Sequence, residues 1–506
     1  MTAFDEFPNV ASERLGAVAL WASDDFFAEK ENLLRDRPAE WREHDYTDRG
    51  KWMDGWESRR KRAIGPDVED AAIVRLALPA VIRGIVVDTA FFRGNFPEQC
   101  ILEGATAREG TLVADLLSDR TEWIEIVPKS ALQGNHANVF SVASPIAFTH
   151  ARLRIFPDGG VARLRVHGEP APDWLRVGGA SNAFDLAALE SGGSVLACSD
   201  MFFGPKHNLI QPGRARNMSD GWETKRRRGV TNETHDWVLV KLAGQGTIDR
   251  LELDTAFFLG NFPDTALVEG CDIAASAAEQ MNGDPEKAPF RTLLPRTKLM
   301  GHTRHFFGPE LAHRGPFTHL RMKVFPDGGV SRLRAFGKLT DAARDDAVSR
   351  LLASSSPNGR RAMLQACCAS SRFIETLDEE QPWAKSDGRV LTRAREIVAS
   401  LGEKDLLEAF AGHPRIGDRP KEAVSAQEQS RARAGSPETL AALADANRAY
   451  EEKHGFVFLI FAMGKSAEEI LEAAKKRVQN TRDVELKAAA GELAAITVLR
   501  LRKLVT

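Results

Sequence analysis

Cysteine is scarce in this 506-residue chain, and its spacing signals no pairing. Cys100, Cys198, Cys271, Cys367 and Cys368 form no CxxC pair and are odd in number, so neither a disulfide framework nor a cysteine-held zinc is indicated. An excess of charge of either sign is also missing. The formal net charge is −3 and the pI near 6.5, which gives nucleic acid or an anionic membrane no basic surface to bind. No apolar run approaches the ~20 residues needed to span a bilayer. The opening MTAFDEFPNVASERLG carries acids where a secretory leader carries bases. No HExxH-like spacing argues for a metal. These absences predict a reduced, soluble, cytoplasmic protein with no nucleic acid and no membrane among its partners. At 506 residues the length suggests about two to four domains, and the 43% hydrophobic content is ordinary for a globular protein.

What is present is a duplication. VDTAFFRGNFPEQCILEG, from Val87, returns as LDTAFFLGNFPDTALVEG from Leu253. MDGWESRRKR at Met53 returns as SDGWETKRRR at Ser219, and SDDFFAEKENLL at Ser23 as SDMFFGPKHNLI at Ser199. FTHARLRIFPDGGVARLRVHG at Phe148 returns at Phe317. The order is the same and the offset stays between 166 and 176 residues, a domain length rather than a solenoid repeat.

Each copy reads as β-rich. AAIVRLALPAVIRGIVVDTAFF and DWVLVKLAGQGTIDRLELDTAFF alternate apolar and polar residues and break at turn residues. ARLRIFPDGGVARLRVHG reads as a hairpin closed by Pro-Asp-Gly-Gly, with Arg152, Arg154, Arg163 and Arg165 on one face. Several short strands between turns favour a sandwich.

The residues kept in both copies divide by chemistry. Phe26/Phe202 and Trp56/Trp222 are expected in the cores. Core packing accounts less well for Lys30/Lys206, Asn32/Asn208, Asp54/Asp220, Glu57/Glu223, Arg60/Arg226, Asn95/Asn261 and His150/His319. Charged groups rarely sit deep unless paired, so this set is either a salt-bridge network, with Glu57 pairing Arg60, or a site.

The run YTDRGKWMDGWESRRKR, with DTAFFRGNFP and FPDGGVARLRVHG, resembles the allantoicase family over about residues 1–340. The resemblance implies two tandem all-β jelly-roll sandwiches of the galactose-binding type, residues 1–172 and 173–340. It also implies hydrolysis of allantoate to ureidoglycolate and urea. That reaction needs a cation for the carboxylate, a proton for the departing nitrogen and an activated water. Lys30, Asp54, Glu57, Arg60 and His150, with Lys206, Asp220, Glu223, Arg226 and His319, form the pool of candidates, without roles assigned within it. A divalent metal for this reaction stays undetermined. The copies differ at Glu31/His207, and YTDRGKW has only QPGRARN opposite it, so one copy is a candidate for lost catalysis.

After Gly337 the pattern becomes helical. KLTDAARDDAVSRLLASSSPNGRRAMLQACC breaks at Ser-Ser-Ser-Pro. SPETLAALADANRAYEEKHG opens with Ser-Pro and ends at Gly455, and SAEEILEAAKKRVQN opens with a capping box. FVFLIFA, Phe456–Ala462, fits a buried strand or a buried helix equally by periodicity.

HPRIGD at His413, SAQEQ at Ser425, GFVFLIFAMGKS and the closing LRL resemble the OHCU decarboxylase family over about residues 345–506. That family converts 2-oxo-4-hydroxy-4-carboxy-5-ureidoimidazoline (OHCU) to S-allantoin. The resemblance implies an all-α fold, which argues against a strand at Phe456–Ala462. It makes His413 the general acid/base and Glu428 catalytic. Pro414, Ser425, Gln429, the backbone of Phe458, Leu459, Ile460, Phe461 and Ala462, and Arg500 would contact substrate. No cofactor is required, because the substrate's own carbonyl and imine delocalise the charge left by CO₂. Singly, these residues also fit blander roles: His413 as a helix-end residue, Ser425–Glu428 as a capping box, Arg500 as the basic end of a helix.

The expectation is a multidomain, bifunctional enzyme of urate breakdown acting on allantoate and OHCU, with hydrolase and lyase activities. A homo-oligomer and a functional link to allantoinase are left open. The competing expectation is a pair of sandwiches that only bind a small ligand, with the C-terminal domain alone catalytic, since fold does not fix function.

Overall fold

The computed structural model describes residues 4, 6–63, 65–174, 176–273, 288–381, 389–413 and 435–506. The chain divides into two compact units, Met1–Thr340 and Asp341–Thr506.

The first unit holds the two sheet-rich repeats. Each is organised by one 19-residue strand, Asp70–Asp88 in the first and Asp236–Asp254 in the second, where the sequence suggested several short strands. The strand is long because it serves two partners. Its first half pairs with Ala147–Phe156, its second half with Arg163–Pro170, and the register shifts between Arg75 and Ala80. The second repeat repeats this plan with Phe317–Phe325 and Arg332–Leu339. Gln99–Ala105 and Ile124–Ala131 extend the layer on the Ala147–Phe156 side. Residues from both halves (Ala72, Val74, Ile85, Val87) share one core with Leu102, Leu153, Leu164 and Val166. That core is what burying the apolar face of each layer against the other produces.

This plan corrects the hairpin reading. The strands flanking Pro157-Asp158-Gly159-Gly160 pair with Asp70–Asp88 and not with each other. The turn carries the chain from one layer to the other, and its Gly160–Val161 pairs with Trp56–Glu57. The four arginines therefore do not form one face. Arg152 and Arg154 bind Glu103 and Glu69, whereas Arg163 and Arg165 reach Asp54 and the carbonyls of Asp36 and Arg37. Trp56 and Trp222 are fully buried, as expected, but Phe26 and Phe202 stand in solvent beside their sandwiches.

The second unit is helical. Ser356 caps Pro357–Cys367 and Ser436 caps Pro437–His454, which ends on Gly455 in the left-handed conformation. Ser466 and Glu469 close the expected capping box on Ala467–Arg477. The last helix, Arg482–Lys503, buries Ala489, Leu493, Thr497, Arg500 and Leu501 along one side.

Phe456–Ala462 is neither strand nor helix; it is an irregular buried run. Its backbone groups find partners in side chains, as buried peptide groups must. Arg477 donates to the Leu459 carbonyl at 2.6 Å, and the Phe461 N–H donates to Glu492 at 2.7 Å. Arg477 is itself held by Glu485, which also accepts from the Tyr450 hydroxyl at 2.6 Å and from Asn480 at 2.8 Å. Burial raises the Glu485 carboxyl, but these three donors outweigh it and hold it below the ordinary range.

Candidate functional site

At one end of the first sandwich, the short strand Trp56–Glu57 lies against Gly160–Val161. This places the Glu57 carboxylate, buried, beside Asn95, whose amide donates to it at 2.8 Å. Asn95 is fixed in turn, because its carbonyl accepts the Gly160 N–H at 2.7 Å. Gly159 in the same turn has φ +139°, and a Cβ there would sit 2.8 Å from that carbonyl, so only glycine fits. Burial pushes the Glu57 carboxyl above the usual range, Asn95 and Arg60 pull against it, and Asp158 adds to the rise. Arg60 does not pair directly with Glu57. Its guanidinium binds Asp158 at 3.1 Å and extends into solvent, while Asp158 also accepts the Lys61 N–H at 2.7 Å. A buried acid with a raised pKa, an amide and an exposed cation thus meet at one lip.

The second repeat builds the same core of this arrangement. Asn261 donates to Glu223 at 2.6 Å and also approaches the Met218 sulfur, while Asp327 accepts the Arg227 N–H at 2.8 Å. Arg226 is exposed.

The other candidates lie elsewhere or are engaged. Asp54 is saturated: Arg163 at 2.8 Å, Arg37 at 3.0 Å, Arg35 at 3.2 Å and the Glu40 N–H all bind it, and they hold its pKa down against burial. Asp220 is held by Arg216 and, from the first repeat, by Arg14 at 2.7 Å. Lys30 pairs with Glu31 at 2.8 Å, whereas Lys206 donates to the Leu196 carbonyl. His150 lies six residues of extended strand from the Phe156 end at which Glu57 sits, roughly 20 Å away. It faces Arg75 across the ladder and meets the Thr149 hydroxyl at 2.8 Å. Burial first, then the neighbouring Arg75 charge, lowers His150 to about 4; burial and Lys241 do the same to His319. Among the described residues, no three His, Cys, Asp or Glu side chains gather as a metal site would require.

In the helical unit His413 follows the helix Glu403–Ala411, its N–H donating to the Phe410 carbonyl at 3.0 Å. Arg500, on the last turn of the final helix, is buried and its charge acts on the His413 ring. Burial, then Arg500, lowers that imidazole to about 3, so at neutral pH it is uncharged. Cys368 lies by the same guanidinium and by the Thr497 hydroxyl, and burial pushes its thiol up. Phe458–Ala462 is the irregular run described above. Pro414, Ser425, Glu428 and Gln429 lie outside the described residues.

Sequence reasoning did not single out Asp158, Asp327, Cys368 or Thr497. The first two stand in the duplicated FPDGGV and could have been found there. The others become neighbours only when separate helices pack.

Comparison with known proteins matches residues 8–171 and 184–340 to the family described as allantoicase repeat, and residues 353–502 to that described as OHCU decarboxylase. A protein of Photobacterium profundum named "Probable allantoicase" is 45% identical over 334 residues, 66% of this chain and 97% of that protein. One of Pseudomonas fluorescens with the same name is 44% identical over 337 residues, covering 67% and 98%. The crystal structure of an allantoicase from Saccharomyces cerevisiae superposes with a TM-score of 0.53 at 32% identity, over 65% of this chain and 92% of that one.

Proposed function

From a chain that belongs to the allantoicase family and carries an OHCU decarboxylase domain after its two repeats, a bifunctional enzyme of purine catabolism, we propose how each half performs its reaction. Residues 1–172 and 173–340 are the two sandwiches of the hydrolase, and residues 345–506 are the decarboxylase.

In the hydrolase, the first repeat cleaves allantoate. Arg60 binds the substrate carboxylate at the solvent-facing lip, the task a planar guanidinium suits. Glu57, whose carboxyl burial raises, gives a proton to the ureido nitrogen as the bond from that nitrogen to the central carbon breaks. Water adds to the same carbon, its proton returning to Glu57, and urea and ureidoglycolate leave. Asn95 fixes the carboxyl, and Asp158 aims Arg60. Lys30, Asp54 and His150 hold the surrounding structure, as do Lys206, Asp220 and His319 in the second repeat. The supporting observation is the raised, amide-held carboxyl beside an exposed guanidinium.

In the decarboxylase, departure of CO₂ leaves its bonding pair on the ring, where the adjacent imine nitrogen accepts it and takes up a proton from solvent, so that an enol remains. The neutral His413 ring takes the hydroxyl proton and passes it to the neighbouring carbon from one side, which yields a single enantiomer. Arg500 meets the developing negative oxygen. Glu428 and Gln429 bind the ureido group and ring nitrogens, Ser425 and Pro414 also contact substrate, and the backbone of Phe458–Ala462 lines the pocket. No cofactor takes part in this step.

The two reactions are not consecutive, since the allantoin ring must be opened by water between them. A ring-opening hydrolase of the allantoinase type is therefore the functional partner. The test is one preparation of the full chain given each substrate in turn. Urea from allantoate and optically active allantoin from OHCU are expected. Binding of allantoate without urea release would leave the sandwiches as a ligand-binding module.

A further inference from the structure

The groups that satisfy the irregular run Phe456–Ala462 pass over Ile460. Arg477 takes the Leu459 carbonyl at 2.6 Å, and Glu492 takes the Phe461 N–H at 2.7 Å. Lys465 takes the next two carbonyls, that of Phe461 through its ammonium at 2.7 Å and that of Ala462 through its N–H at 3.1 Å. Among the described residues, neither the N–H nor the C=O of Ile460 has a partner, although the residue is only 5% exposed. Buried peptide groups left in that state are rare and costly.

The anchors on either side of Ile460 belong together. Arg477 and Glu492 lie 3.8 Å apart, so a single ion pair reaches the carbonyl before Ile460 and the N–H after it. In an extended residue those two groups point to one side, and the residue's own N–H and C=O point to the other. Ile460 therefore turns a donor and an acceptor, side by side, away from the pair. The pair is itself braced from behind. Glu485, fully buried, holds Arg477 and accepts from Tyr450 and Asn480, which ties the run to helices Pro437–His454, Ala467–Arg477 and Arg482–Lys503. The Arg477 guanidinium also covers the Phe458 ring at 4.8 Å.

We propose that Arg477 and Glu492 are positioning residues of the decarboxylase. From behind the pocket wall they fix the Ile460 peptide groups, so that its N–H and C=O take an H–N–C=O edge of the substrate. OHCU carries such edges in its ureido group and in its ring, and an edge of that kind pairs with an extended residue as a neighbouring strand would. Neither side chain touches substrate. The proposal rests on Phe458–Ala462 being the pocket wall and adds what holds that wall in register.

Glu492 is the residue to change, because it is partly exposed and its loss leaves the Arg477–Glu485 pair in place. In the full chain, Glu492→Ala releases the Phe461 N–H. It is expected to raise KM for OHCU about 10-fold and to weaken S-allantoin binding, measured by calorimetry, by a similar factor, the worth of one charge-assisted hydrogen bond. The fall in kcat should be smaller. Glu492→Gln keeps an acceptor for that N–H and should return both values to within about 3-fold of wild type. Glu492→Asp draws the carboxylate back by one methylene and should raise KM in the same direction, which keeps the test in force if the alanine variant does not fold. Tyr450→Phe loosens the same network without touching the run; it should lower the unfolding midpoint and leave KM as it was. An active wild type whose Glu492→Ala and Glu492→Asp variants keep their KM would overturn the proposal alone. So would a glutamine variant no better than alanine, or a Tyr450→Phe variant that raises KM equally. A wild type that neither turns over OHCU nor binds S-allantoin would overturn the decarboxylase reading and this proposal with it.

Discussion

The first and second sandwiches share a long bent strand, a switch-over turn and a buried glutamate held by asparagine, yet they satisfy their polar groups differently. The Asp54 carboxylate takes Arg35 and Arg37 from its own repeat's loop, in addition to the buried Arg163. Its counterpart Asp220 takes Arg14 from the other repeat and Arg216 from a shorter loop. The first end is covered by a charged, aromatic insertion and the second lies bare. Duplication thus preserved the interior, where packing tolerates little change, and let the loops diverge. One copy became self-sufficient, and the other came to lean on its neighbour.

The strongest way to break this comparison is to neutralise each glutamate. Glu57→Gln is expected to lower urea release on the order of 10³-fold, within the usual range for loss of a general acid. Glu223→Gln should stay within a few-fold of wild type. Steady-state assays with allantoate decide, and the reverse ranking would move catalysis to the second repeat. The helical unit supplies the control: His413→Ala should slow S-allantoin formation by 10²-fold or more, followed by circular dichroism, with urea release untouched. Loss of both activities would signal misfolding instead.

Smaller effects sharpen the account of the aspartates. Asp54→Asn strands a buried guanidinium and should cost about 3–5 kcal/mol by denaturant unfolding. Arg14→Ala removes a charge-assisted bond that crosses between repeats and should cost ~1–2 kcal/mol. Equal losses would mean that the two repeats do not differ in how they hold this carboxylate.

The two repeats should behave alike in their pH dependence. His150 and His319 have folded pKa values of about 4, below the unfolded value near 6.5. The unfolded chain therefore binds protons first as pH falls. The stability that these rings contribute is intact above about 6.5 and is lost as pH falls toward 4, by up to ~3 kcal/mol each. Thermal unfolding of a His150→Asn, His319→Asn double variant should show a shallower fall across that window than wild type.

Much of this was legible in the residues. Repeated motifs showed the duplication, period-two alternation the sheets, and Ser-Pro, capping-box and terminal-glycine signals the helix ends. The hairpin misreading shows the limit. Alternation says that Ala147–Phe156 and Arg163–Pro170 are strands, but not that a third strand runs between them. Phe26 and Phe202 were expected in the core because aromatics usually are; the sandwich end left them outside. Phe456–Ala462 was ambiguous by pattern because its backbone is satisfied by Arg477 and Glu492, distant side chains that no local period can announce.

Sequence alone determined the number of repeats, the change from sheet to helix after residue 340 and the chemical types gathered for each reaction. These follow from local propensity, periodicity and self-similarity, which the chain carries wherever it folds. Tertiary structure decided which kept residues meet: Glu57 with Asn95 and not Arg60, Asp54 with three arginines, His150 a strand's length away. Such pairings depend on which strand lies beside which and on the low-dielectric surroundings that burial creates. No single segment encodes either of these.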